Sequence, residues 1–406
     1  MTESAPSVSQ ALNAHVATVQ PSATLAVSAR AKALKREGRD VVALSAGEPD
    51  FGTPAPIVEA AHQALRDGFT HYTPNTGTVE LREAVARKLR EDNGIEVSAG
   101  QVICSNGAKQ SVAQAVLAVC GPGDEVVIPA PYWVSYPEMA RMAGATPVAV
   151  ETSAASGYRM TPEALADALS ERTRVVLLNS PSNPTGAVYS PDEIRALADV
   201  LRPHPRALVV SDEIYEKVRF DAEHLSIGSL PGMAERTMTV NGFSKAYAMT
   251  GWRLGYAAGP AWWVDAMAII QSQFTSGPSS ITQKAGVAAL AMDEAPLEEM
   301  VRAFRERRDA FLARLEAIPG VVCPKPEGAF YLFPDVSAYV GRRTSGGSEI
   351  AGSADLALYL LDEHDVALVP GVAFGDDRGL RISYASALED LMRAADRIEA
   401  GLAALV

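Results

Sequence analysis

The sequence predicts an α/β protein: a three-layer large domain on a mostly parallel sheet, with a smaller α+β domain beside it. Three observations carry this. Short apolar runs rich in Val and Ile recur at 102–105, 125–128, 146–150, 175–179, 207–211, 237–241 and 254–258, and helical patterns separate them. Runs apolar on both faces suit strands covered above and below, and alternation with helices makes such a sheet parallel. After about residue 292 the pattern changes to a long charged helix followed by shorter strands at 329–333 and 380–384. Finally, 406 residues, 48% hydrophobic and 21% charged, supply a large core and about two domains. The boundaries are set at 51–291 for the large domain, and at 1–50 together with 292–406 for the small one.

In chain order, residues 1–20 read as a tail with some helical tendency. A helix then runs from Ser22 or Thr24 to a Gly38 stop, with a basic outer face. Val41–Ala46 reads as a strand, followed by the turn-rich G-E-P-D-F-G-T-P-A-P. A helix over about 56–67 leads to H-Y-T-P-N-T-G, and the next helix stops at Asn93-Gly94. A further helix is expected over 111–119. Residues 341–353, G-R-R-T-S-G-G-S-E-I-A-G-S, read as a mobile loop.

The formal net charge of −13 argues against a nucleic-acid or anionic-membrane partner, since such partners require a positive footprint. Cys104, Cys120 and Cys323 stand far apart without C-x-x-C spacing, which fits core thiols in a reducing compartment. The first twenty residues lack a signal peptide's basic head and apolar run, and no segment reads as a membrane span. A cytoplasmic protein is the expectation. Walker, G-x-G-x-x-G, H-E-x-x-H and G-x-S-x-G patterns do not occur.

The chemistry concentrates in N-G-F-S-K-A-Y-A-M-T-G-W-R-L-G-Y-A-A-G, residues 241–259. Lys245 lies among small residues, with Arg253 eight positions on. Partial burial and a fixed cation both lower a lysine pKa, and an uncharged amine can attack an aldehyde. Arg253 would stay charged and could clamp a phosphate. Ser105-Asn106-Gly107-Ala108-Lys109-Gln110 follows a strand and opens a helix, where free N–H groups suit a phosphate. Each piece also has a plainer reading: a solvated lysine, an ordinary strand-to-helix turn.

The 241–259 stretch resembles the cofactor-lysine motif of class I/II aminotransferases, the fold-type I pyridoxal phosphate enzymes. P-Y-W, N-S-P-S-N-P-T-G and S-D-E-I-Y occur in the family's order, the last 30 residues before Lys245. The resemblance implies that Lys245 forms the Schiff base with pyridoxal 5'-phosphate and that Gly107, Ala108, Lys109 and Arg253 hold the phosphate. It implies that Trp133 stacks on the ring, Asn183 and Tyr215 donate to its phenolic oxygen, and Asp212 pairs with its nitrogen. One or both X-Pro bonds of the Asn179–Gly186 segment are expected to be cis. Tyr72 resembles the tyrosine that reaches the other subunit's phosphate, implying a homodimer with shared sites.

For the substrate, the resemblance gives Arg381, in G-L-R-I-S-Y-A, the α-carboxylate, with backbone support from Gly47; Trp133 and Asn183 also face the substrate. It is nearest to bacterial aspartate aminotransferases, through P-S-A-T-L-A-V, L-S-A-G-E-P-D-F and P-Y-W-V-S-Y-P-E-M. In that subgroup the positions of Lys109 and Thr24 meet the distal carboxylate. The implied reaction moves the amino group of L-aspartate to 2-oxoglutarate by a ping-pong route, with no metal. The alternatives are a prephenate or aromatic aminotransferase, or a pyridoxal phosphate lyase on the same scaffold.

Overall fold

The computed structural model of the chain describes residues 14–406. Of the expected N-terminal tail, residues 1–13 lie outside the described part, and Ala14–Ala17 forms one helical turn.

The strands in order are β1 (Val42–Ala43), β2 (Val102–Ser105), β3 (Glu125–Ala130), β4 (Thr146–Glu151), β5 (Thr173–Asn179), β6 (Leu208–Asp212), β7 (Thr237–Gly242), β8 (Gly255–Ala258), β9 (Tyr331–Leu332), β10 (Val366–Ala367), β11 (Val369–Pro370) and β12 (Leu380–Ser383). Seven form one sheet in the order β2-β8-β7-β6-β5-β3-β4. All its pairs are parallel except those of β8, which runs antiparallel to β2 and β7. The reason is local. Parallel return requires a long crossover, whereas β7 reaches β8 through residues 243–254, which hold no helix. That turn-back is the segment containing Lys245.

Helices cover both faces, so β2, β6, β7 and β8 are buried along their whole length. Their ends follow local chemistry. Thr78 caps the Val79–Asn93 helix by accepting from the Leu81 N–H, and Gly94 ends it in a left-handed conformation. The helix expected at 111–119 is Ala108–Leu117, starting three residues earlier because Gly107 already serves as its N-cap.

The second group of strands comprises an antiparallel β11-β12-β9 sheet and a parallel β1-β10 pair. Only Val42–Ala43 of the expected 41–46 strand is regular strand; Leu44 still bonds Ala367 and Ser383 through its backbone, and the Ser45 carbonyl accepts from Arg381. The Ala23–Arg36 helix packs Ala31 and Leu34 against Leu361 and Ala367. The 341–353 segment folds back through a bridge between Arg343 and Glu349.

One aromatic cluster joins these parts. Phe304 and Phe311 of the Ala295–Glu316 helix pack with Phe330, Tyr331 and Tyr384, and with Tyr215, Val218 and Ala246 from around the large sheet's edge. The cysteines are free, and burial pushes the thiols of Cys104 and Cys323 up to about 12, leaving them inert core groups.

Candidate active site

The carboxyl ends of β2, β3, β5, β6 and β7 lie on one edge of the large sheet, the edge where open α/β sheets take ligands. β8 enters from the same edge, so Arg253, just before it, joins them. A cavity of about 410 Å³ opens there. It is lined by every residue assigned a cofactor or substrate role from the sequence except Tyr72, which stands fully exposed.

At one end, Gly107 adopts φ 93° and ψ 154°, a region essentially reserved for glycine. A Cβ there would lie 2.6 Å from Arg253 Nη2, so the missing side chain makes room for the guanidinium. Arg253 is itself tied down: Nη1 donates to the Thr250 carbonyl at 2.9 Å and Nη2 to the Asn106 carbonyl at 3.3 Å. Gly255 is equally constrained, since a Cβ would meet the Ala108 nitrogen at 2.3 Å. A guanidinium and the amino end of the Ala108–Leu117 helix thus converge, an arrangement that favours an anion.

At the floor, Asp212 is buried at the end of β6. Its carboxylate accepts from the Tyr136 hydroxyl at 2.8 Å and the Ile214 N–H at 3.2 Å, both neutral donors. Burial dominates and pushes its pKa up to about 6. Asn179 props up the next turn: its amide donates to the Asp212 carbonyl and its oxygen accepts from the Asn183 N–H, both at 2.9 Å. Both Ser180–Pro181 and Asn183–Pro184 are cis; so is Ala130–Pro131, which the sequence reading did not anticipate.

Lys245 donates to the Gly47 carbonyl, with its ammonium 5.7 Å from the Tyr215 ring centre. Desolvation lowers its pKa to about 8, helped by Arg381 and Arg253 against Glu48 and Asp212. Across the cavity, Arg381 is 1% exposed. Its Nη2 donates to the Ser45 carbonyl at 2.6 Å and its Nη1 to Asn183 Oδ1 at 3.1 Å. With that oxygen engaged, the Asn183 NH₂ is left to donate elsewhere. Trp133 stands edge-on to Tyr136, centroids 5.2 Å apart, and Lys109 Nζ lies 4.8 Å from the Trp133 ring. Desolvation, then Arg253, lowers the Lys109 pKa. Thr24 and Gly47 border the same space.

The chain's residues 39–398 match the model of the family described as aminotransferase class I and II. The chain belongs to that family. Similar aminotransferases include the "Bifunctional aspartate aminotransferase and glutamate/aspartate-prephenate aminotransferase" of Petunia hybrida, 55% identical over 96% of this chain and 82% of the relative. The "Aspartate/prephenate aminotransferase" of Cereibacter sphaeroides is 47% identical over 96% of this chain and 98% of its own. Among solved structures, the aspartate aminotransferase of Rhizobium meliloti superposes with a TM-score of 0.94 at 44% identity, covering 97% of this chain and 99% of that one. The Thermus thermophilus aspartate aminotransferase, solved with maleate, gives 0.90 at 44% identity, covering 96% and 99%.

Three groups in the aminotransferase's cavity went unmarked in the sequence. Tyr136 supports Asp212, Tyr331 meets the Tyr215 hydroxyl at 2.8 Å, and Glu48 accepts from the Thr250 hydroxyl at 2.9 Å. Tyr136 had a signal, lying three residues after Trp133 at a helix start. Tyr331 sits in an aromatic run that reads simply as core.

Proposed function

We propose that this aminotransferase transfers the amino group of L-aspartate to 2-oxoglutarate, giving oxaloacetate and L-glutamate, with pyridoxal 5'-phosphate held in the cavity described above. The carrying observation is Asp212, a buried carboxylate that among the described residues is hydrogen-bonded only to neutral donors, facing the same cavity as an amine whose pKa is about 8. A protonated ring nitrogen suits that carboxylate, and an aldehyde suits the amine. The Gly107 cradle beside Arg253 fits a phosphate on the same grounds.

When bound, pyridoxal phosphate supplies an aldehyde that takes up an amino group and a ring that accepts the electrons left at the substrate Cα. Asp212 holds the proton on the ring nitrogen. Tyr215 and the Asn183 amide donate to the ring's phenolic oxygen, and Trp133 covers one ring face. The Arg253 guanidinium and the backbone of Gly107, Ala108 and Lys109 grip the phosphate, which leaves the Lys109 side chain for the substrate. Arg381 orients the substrate α-carboxylate; its Nε has no partner among the described residues, which supports a ligand completing it. Gly47 offers close backbone to the same group. Lys245 Nζ takes the proton from the substrate Cα as a base and returns it as an acid. Lys109 and Thr24 receive the distal carboxylate, a role supported by the position of both on the cavity wall.

The working unit is a homodimer in which Tyr72 serves the partner's phosphate; its full exposure, with Phe274 at 70% and Ile269 at 68%, supports a covered face. The large domain is 51–291, and the small one joins 1–50 to 292–406. A cytoplasmic location is part of the proposal; among the described residues no helix is long and apolar enough to cross a membrane. Two relatives named for prephenate as well as aspartate favour a second oxo-acid substrate class.

The test is an amino-donor panel of aspartate, glutamate and phenylalanine, with 2-oxoglutarate and prephenate as acceptors, read from the cofactor's absorbance. Aspartate with 2-oxoglutarate should turn over, and borohydride should label Lys245. Inactivity toward every dicarboxylic donor, or label elsewhere, overturns the proposal. With cysteine, which carries a leaving group on Cβ, release of pyruvate, ammonia and sulfide without an acceptor would point instead to a lyase.

A further inference from the structure

Tyr331 is wholly buried on β9, yet its hydroxyl comes to the cavity and pairs with that of Tyr215 at 2.8 Å. The Arg381 guanidinium carbon lies 4.7 Å from its ring centre. Its hydroxyl is also only 3.1 Å from where a Cβ on Gly47 would stand, so the glycine leaves it this place. Nothing in core packing requires a hydroxyl here, since phenylalanine would fill the same space.

A tyrosine hydroxyl has one proton to donate and two lone pairs to accept with. Taken alone, either member of the pair can be the donor. Once Tyr215 spends its proton on the cofactor's phenolic oxygen, it has none for Tyr331. The proton between them must then come from Tyr331. We propose that Tyr331 is a positioning residue that donates to Tyr215, holds it as a donor toward the cofactor oxygen, and links that oxygen to the state of Arg381. This rests on the cofactor reading given above.

The chain of influence has a direction. Donation into Tyr215 polarises its own O–H and strengthens the bond it makes onward. A guanidinium against the Tyr331 ring draws charge from the phenol and makes it a better donor. A substrate carboxylate arriving on Arg381 offsets that cation and weakens the relay, so substrate capture is felt at the cofactor oxygen. The charged groups facing the pair are Arg381, Asp212, Lys245 and Glu48. Burial keeps both phenols protonated at neutral pH, so each has its proton to give.

The test is the pH midpoint of the visible absorbance of the bound cofactor, measured on holoenzyme without substrate. Donors to the phenolic oxygen favour its anion without a proton on the neighbouring nitrogen, so losing one raises the midpoint. Tyr331→Phe should raise it by about 0.5 pH unit, from a bond strengthened by a modest fraction. Tyr215→Phe should raise it further, and Tyr331→Phe added to Tyr215→Phe should shift nothing more. A purely structural effect would instead appear equally in both backgrounds. An unchanged midpoint in a Tyr331→Phe holoenzyme, or equal shifts in the two backgrounds, overturns the relay while leaving the cofactor reading intact. Absence of cofactor absorbance in the unmodified protein overturns the cofactor reading first, and the relay with it.

Discussion

Replacing Gly107 with alanine tests the anion cradle most directly. The residue sits at φ 93° and ψ 154°, where a side chain costs about 1–3 kcal/mol. The added methyl would lie 2.6 Å from Arg253 Nη2 and 3.1 Å from its guanidinium carbon. Ordinary contact is nearer 3.5 Å, so the guanidinium must withdraw by roughly an ångström. That withdrawal removes a charge-assisted hydrogen bond to phosphate, about 1.5–3 kcal/mol, and predicts a roughly 10- to 100-fold weaker affinity. The ligand to use is pyridoxamine phosphate, which has no aldehyde and so cannot be retained through Lys245. Quenching of tryptophan fluorescence reads its binding, with inorganic phosphate as competitor. Gly251→Ala is the control, because nothing lies within 4 Å of its Cβ position. Affinity within twofold of the unmodified protein in Gly107→Ala would refute the assignment of this cradle to the phosphate.

Four other outcomes follow from the same geometry. Tyr136→Phe removes a hydrogen bond that lowers the Asp212 pKa, so that pKa rises further and cofactor affinity falls by about fivefold, roughly 1 kcal/mol, in an equilibrium titration at pH 7. Arg381→Lys keeps the charge but loses the planar fork, and kcat/KM for aspartate should fall at least tenfold, by about 1.5–3 kcal/mol; an unchanged value removes Arg381 from carboxylate recognition. In apoprotein, the Lys245 amine is mostly protonated below about pH 8, so the rate of cofactor uptake should fall tenfold per unit below that point and level off above it, as stopped-flow absorbance would record. Lys88→Met strands the buried Glu216, which Lys88 pairs with and whose pKa is held near 2 despite burial; denaturant titration should show a loss of about 3 kcal/mol, much of it recovered by adding Glu216→Gln.

The parallel sheet was legible because each strand, covered on both faces, is a pure apolar run, and because the segments between most of them carry helical periodicity. The single antiparallel strand left no such mark. Its direction follows from the shortness of the 243–254 connection, a three-dimensional consequence that no residue type announces. The proposed cofactor residues that line the cavity were legible because most sit at or just past a strand end in a distinctive short motif. Tyr331 and Tyr136 were not, since a tyrosine in an apolar run looks the same whether its hydroxyl meets water or another side chain. The buried group of Lys88, Glu213, Glu216 and His224 was equally hidden. Its members are spread along the chain and meet only when the Val79–Asn93 helix packs against the turn after β6.

The overall charge and the cavity charge point in opposite directions, and that contrast bears on what enters. The chain carries −13, which disfavours large polyanions at the surface. The cavity wall nevertheless holds four cationic side chains, Lys109, Lys245, Arg253 and Arg381, against two carboxylates, Asp212 and Glu48. Such a site draws in a small anion that an acidic surface would otherwise repel, and it can do so only over short range, because salt screens fields beyond about 10 Å. The cations are also spread out. Arg253 stands at the Gly107 cradle, Arg381 across the cavity beside Ser45 and Asn183, and Lys109 over the Trp133 ring. A ligand with one anionic group leaves two of these cations unanswered. A phosphate, an α-carboxylate and a distal carboxylate together answer all three. This is why the distribution of charge favours a dicarboxylic amino acid over a monocarboxylic one. It also makes Lys109 the position where the preference between aspartate and an apolar donor should change: Lys109→Leu is expected to lower kcat/KM for aspartate by at least tenfold, while phenylalanine, which makes no charge contact there, loses less. Equal losses for both donors would place the discrimination elsewhere in the cavity.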